Sequence, residues 1–160
     1  MKKTILIATV VFMAAVGTTK AQSYRTALGL RLGDPTGITL QHYVSGNSAL
    51  EGILGFGPYW FTLTGLYEYH KPIASAPGLG WFIGFGAHIG SIGHRYYYDG
   101  DKYYDNGFLF GLDGILGLDY TFAQAPINLS LDWKPAIELS PFAGFVPGEF
   151  GFSVRYTFGR

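Results

Sequence analysis

The chain has 160 residues, with 11 Lys and Arg balanced by 11 Asp and Glu, 14% charged residues, 18% aromatics, 24 Gly and no Cys. Charge this far below the ~25% usual for a soluble domain, with no basic excess, argues against a nucleic-acid binder. The lack of Cys excludes a disulfide-framed secreted module.

The N-terminus opens with Lys2 and Lys3, then an apolar run from Ile5 to Val16, then Thr19-Lys20-Ala21. That run is too short for a membrane-spanning helix, which needs ~20 residues. Small residues at positions −3 and −1 from a cut after Ala21 suit signal peptidase. We expect residues 1–21 to be a signal peptide and 22–160 to form one domain. Lys2, Lys3 and Lys20 lie in the leader and every acidic residue lies beyond it, so 22–160 is acidic overall.

Beyond the leader, Gly recurs too often for helices, and the apolar pattern has a period of two, the signature of strands. In 24–33, Tyr24, Thr26, Leu28, Leu30 and Leu32 alternate with Arg25, Ala27, Gly29, Arg31 and Gly33. Asp34-Pro35 marks a turn. Residues 36–44 set Ile38 and Leu40 against Thr39, Gln41 and Tyr43, and Gly46-Asn47-Ser48 turns again. A third strand, about 49–57, places Leu50, Leu54 and Phe56 opposite Glu51. A fourth, 59–70, places Phe61, Leu63, Tyr67 and Tyr69 opposite Thr62, Thr64, Glu68 and His70.

After a Pro-containing connection, 79–90 alternates Leu79, Trp81, Ile83, Phe85, Ala87 and Ile89 with Phe82, His88 and four glycines. The sixth strand, about 107–121, sets Phe108, Phe110, Leu112, Leu116, Leu118 and Tyr120 against Asp113, Asp119, Gly111 and Gly117. The seventh sets Ile127, Leu129, Leu131 and Trp133 against Asn128, Ser130, Asp132 and Lys134. The eighth, at the C-terminus, sets Phe150, Phe152, Val154, Tyr156 and Phe158 against Gly151, Ser153, Arg155 and Thr157.

Eight strands of this length exceed the ~5–6 residues usual in soluble domains and suit tilted bilayer crossings. An even strand number with both termini on one side is the bacterial outer-membrane pattern. The polar faces carry charges that a soluble core would not bury unpaired, so the apolar faces are expected to meet lipid. The fold expected is all-β: an eight-stranded antiparallel up-and-down transmembrane barrel.

The lumen would then receive Arg25, Arg31, Glu51, Glu68, His70, His88, Asp113, Asp119, Asp132, Lys134, Glu149 and Arg155. An eight-stranded barrel is only wide enough for side chains to fill it, so these groups are read as a network of ion pairs and hydrogen bonds closing the interior. Two long external connections are expected. Residues 93–107 hold Tyr96, Tyr97, Tyr98, Tyr103 and Tyr104, candidates for an aromatic belt or an external contact surface. Residues 135–148 are rich in Pro and Phe.

Asp99-Gly100-Asp101 and Asp105-Asn106-Gly107 lack the full ligand series of a calcium loop, so no metal or other cofactor is assigned. The motifs of serine hydrolases, zinc proteases and phosphate-binding loops do not occur. His94 with Asp99 or Asp101 is the one arrangement that resembles an outer-rim catalytic pair, and no enzymatic activity is expected.

The pattern resembles the small eight-stranded outer-membrane β-barrels of the OmpA/OmpX type, over the whole of 22–160. The C-terminus is similar to the signal read by the barrel-assembly machinery, with Phe152, Val154, Tyr156 and Phe158 at the matching spacing. It departs from that signal in continuing through Gly159 and Arg160. The resemblance implies a Gram-negative outer-membrane protein whose partners are the bilayer, the assembly machinery and possible external or membrane proteins. A structural or interaction role is expected. A narrow channel or small-ligand transporter is the alternative, and a soluble lipocalin-like carrier a more distant one.

Overall fold

A computed structural model describes residues 24–98, 101–140, 143–148 and 150–159, with the backbone alone described for 94–98 and 101–106. Ten strand segments follow in order: β1 (Thr26–Gly33), β2 (Gly37–Ser45), β3 (Ser48–Gly57), β4 (Trp60–Pro72), β5 (Leu79–Tyr98), β6 (Asp101–Thr121), β7 (Ile127–Trp133), β8 (Ala136–Ser140), β9 (Gly144–Val146) and β10 (Phe150–Phe158). Each pairs antiparallel with its neighbours, and β1 closes on β10 through the register Thr26↔Phe158 to Gly33↔Gly151.

The ten segments make eight staves. Both β7 and β8 pair with β6, and the ladder is interrupted at Pro135, which has no N–H to donate. Its carbonyl still accepts from the Gly114 N–H at 2.9 Å. In the same way β9 pairs with β8 and β10 with β7, so β9 and β10 run along one stave. The result is a closed eight-stranded antiparallel barrel, as the period-two pattern predicts.

Two connections differ from the expectation. The stretch 93–107 is not a loop: the β5–β6 ladder continues in register from His94↔Asp105 to Tyr98↔Asp101. A Tyr-rich run favours the strand conformation, and an antiparallel partner two residues away lets the ladder extend without help from the rest of the barrel. Residues 135–148 likewise contain β8 and β9, because Ile137 and Leu139 keep the outward alternation.

The polarity of the wall is the reverse of a soluble barrel. Outward side chains such as Leu30, Leu54, Leu63, Ile83, Phe85 and Val154 are exposed, while Arg31, Glu51, Glu68, Asp132 and Arg155 are buried. Along β4 the outward series is Phe61, Leu63, Gly65, Tyr67, Tyr69. On β10 it is Phe150, Phe152, Val154, Tyr156, Phe158, and on β6 it runs from Phe108 and Phe110 through Leu112, Leu116 and Leu118 to Tyr120. Aromatics thus stand near both ends of the staves with aliphatic residues between, over about 26 Å of strand from Phe61 to Tyr69.

Candidate functional site: the luminal network and the loop-end cavity

The inward positions of adjacent staves converge on the axis, and their chemistry sorts into layers. At the end that carries the termini, Tyr24 donates to Gln41 Oε1 at 2.8 Å, and Gln41 Nε2 donates to Glu68 Oε2 at 3.0 Å. His70 lies 3.0 Å from the same Glu68 oxygen and 3.5 Å from Asp119, and its ring stacks on Phe82 with centroids 4.9 Å apart.

The middle layer is centred on Arg155. Its guanidinium donates to Glu51, to Thr39 at 3.3 Å, to Asn128 Oδ1 at 3.2 Å and to Ser130 at 2.9 Å, while Thr39 also donates to Glu51. Arg155 stands opposite Gly29 of β1, and Gly29 stands opposite Thr39 of β2. A Cβ at Gly29 would stand 2.5 Å from Arg155 Cα, so the glycine lets β10 approach β1 closely, and the guanidinium reaches past β1 to Thr39 of β2 and Glu51 of β3. One layer further on, Arg31 makes a two-pronged contact with Asp132, at 2.5 and 2.7 Å. It reaches over Gly151, where a Cβ would collide with the guanidinium. An apolar patch of Ile53, Leu66, Phe82 and Ile115 completes the interior.

Toward the opposite end, His88 lies between Asp113, at 2.8 Å from Nδ1, and Glu138, at 3.2 Å from Nε2. Lys134 contacts the other Asp113 oxygen at 2.5 Å. Above them lies a cavity of about 350 Å³ at the end of the barrel where β1 turns into β2 and β3 into β4. Its walls include Asp34, Trp60, Thr62, Ile92, Leu109 and Val146.

Of the charges expected inside, Arg31, Glu51, Glu68, His70, His88, Asp113, Asp119, Asp132, Lys134 and Arg155 occupy buried inward positions. Arg25 does not. The chain bends before β1, Tyr24 takes the buried position and Arg25 turns outward, so simple alternation fails where the ladder has not yet begun. Glu149 lies outside the described residues, as do the side chains of Tyr96, Tyr97, Tyr98, Tyr103 and Tyr104 and the His94, Asp99 and Asp101 group. Phe152, Val154, Tyr156 and Phe158 all face outward.

Sequence reading passed over Glu138 because it lay in an expected loop. It also passed over the neutral partners Thr39, Gln41, Asn128 and Ser130, which alternation places inside but whose roles depend on which strand stands opposite. No group of three or more His, Cys, Asp or Glu among the described residues is arranged to hold a metal ion.

A solved structure fits this geometry. The crystal structure of the N-terminal β-barrel domain of Pseudomonas aeruginosa OprF superposes with a TM-score of 0.61 at 14% identity, covering 83% of this chain and 95% of that one. The fold is that of a small outer-membrane barrel domain. Below a quarter identity, the likeness speaks for the fold alone. No protein-family model matches the chain, and no curated protein sequence matches it.

Proposed function

We propose that this chain is an integral outer-membrane β-barrel with a structural or interaction role, its lumen closed by the side-chain network and its loop end presented outside the cell. The observation that carries this reading is the inverted polarity of the wall. Apolar side chains bounded by aromatics cover the outside, as a bilayer requires, and the buried arginines and Lys134 each meet a carboxylate inside.

A soluble carrier would need the reverse arrangement. A permeable channel would need a continuous water path past the buried pairs Arg155–Glu51 and Arg31–Asp132, which bridge staves three and two positions apart, and their burial supports the closed reading. The outward aromatic and apolar series of β10 is suited to handling by the barrel-assembly machinery before the strand meets lipid.

The test is to fold the chain from urea into detergent micelles or lipid vesicles, beside a control in plain buffer, reading circular dichroism and heat-dependent gel mobility. We expect folding only with detergent or lipid, and no steady conductance in planar bilayers. A monomer folded in buffer would overturn the membrane reading. Steady unit conductance would replace the closed barrel with a narrow channel.

A further inference from the structure

The cavity at the loop end is not explained by closure of the barrel. Its floor is Thr64, His88 and Lys134, its sides include Ile92 and Leu109, and its rim is formed by Asp34, Trp60 and Val146. We propose that it binds a small organic cation: an amine joined to an apolar or aromatic body.

Charge accounting selects the sign. Lys134 and one nitrogen of His88 are both engaged by Asp113. The remaining acids at the cavity are Glu138, one oxygen of which meets His88, and Asp34, an exposed residue of the β1–β2 connection. Among the described residues Lys134 is the one fixed cation lining the cavity, and it and His88 face three carboxylates, Asp113, Glu138 and Asp34, so acids outnumber bases by one. An anion would have to displace Asp113 from Lys134. A cation meets Glu138 and Asp34 directly.

The walls select the body. Trp60, Ile92, Leu109 and Val146 supply apolar surface, and the indole face of Trp60 attracts a cation within about 6 Å. The volume lies at the small end of the ~300–1,000 Å³ typical of ligand pockets.

The probe is 1-naphthylmethylamine, with 1-naphthylmethanol and 1-naphthoate as neutral and anionic counterparts of similar shape. Equilibrium dialysis of the full chain in detergent, against micelles alone, separates site binding from partition. We expect saturable binding of one amine per chain, at least tenfold tighter than the alcohol, and none of the naphthoate. Asp34→Asn and Glu138→Gln should each weaken the amine about threefold and together about tenfold, with the heat-dependent gel shift retained. Should Glu138→Gln fail to fold, exposed Asp34→Asn decides alone. Equal binding of the three probes, preference for the anion, amine uptake no greater than in micelles, or a wild-type value in the folded variants would each overturn the proposal.

Discussion

Arg155 shows how one residue organises the barrel interior. It is fully buried, and four side chains from β2, β3 and β7 accept its hydrogen bonds. Removing one member of a buried ion pair leaves the other charge uncompensated, at a cost of about 3–5 kcal/mol. Arg155→Met should therefore lower the unfolding free energy of the micelle-folded barrel, read from urea titration, by that order. Adding Glu51→Gln should recover part of the loss, and a double-mutant cycle on the same unfolding curves measures how much. Full additivity would mean that the two groups do not act as a pair.

Glycines divide by the face they serve. A Cβ at Gly117 would stand 2.5 Å from Phe82 Cζ and 2.8 Å from Asp132 Cβ, whereas a Cβ at Gly65 would meet nothing within 4 Å. Gly117→Ala should destabilise by about 1–3 kcal/mol, the usual cost of overpacking. Gly65→Ala, on the outer face, should stay within about 0.5 kcal/mol. Denaturant titration of both variants in one detergent tests the contrast, and equal effects would contradict the inward assignment of Gly117.

At the scale of the strand, the informative quantity is where along the wall an outward residue sits. Ala87 alternates with inward His88 and pairs across the ladder with Gly65, midway between the outward Phe61 and Tyr69 of β4. A cation at the bilayer midplane costs about 2–4 kcal/mol in a barrel wall, falling toward zero at the interface. Ala87→Arg should lose that much folding free energy in lipid vesicles, while Tyr59→Arg, in the β3–β4 connection, should lose far less. If both cost the same, the wall does not lie in a bilayer at the depth inferred.

The period-two pattern makes these strands legible from the order of residues alone. It assigns Leu63, Tyr67 and Tyr69 to one face and Thr64, Glu68 and His70 to the other, because successive side chains on a strand cannot avoid opposite faces. The pattern is less informative where it weakens. Residues 93–107 read as a loop because tyrosines and charges do not separate into two faces there, yet ladder pairing depends on backbone groups and continues to Tyr98 and Asp101.

For the molecule as a whole, closure matters more than any one contact. The pairing of β1 with β10 leaves neither strand an open edge along that seam, which is the condition for a β-structure to sit in lipid without unsatisfied backbone groups. The β5–β6 extension is different: beyond Gly93 the described ladder of β5 has only β6 as partner. Replacing residues 95–104 with a two-residue Asn-Gly turn should leave the thermal midpoint and heat-dependent gel shift near those of the intact chain. A large drop would show that the extension supports the barrel.

The sequence by itself determined the class of fold, the identity of the outward-facing apolar residues and most of the inward charges, since period-two alternation is a local property of the chain. Only the tertiary structure decided which charges meet. Arg31 finds Asp132 over Gly151, and Arg155 finds Glu51 past β1, because the register of non-neighbouring staves sets those distances. It also turned Arg25 outward, brought Glu138 to His88 and formed the cavity at the loop end. Each of these depends on how the staves bend and end, and alternation along one strand carries no information about its partners across the barrel.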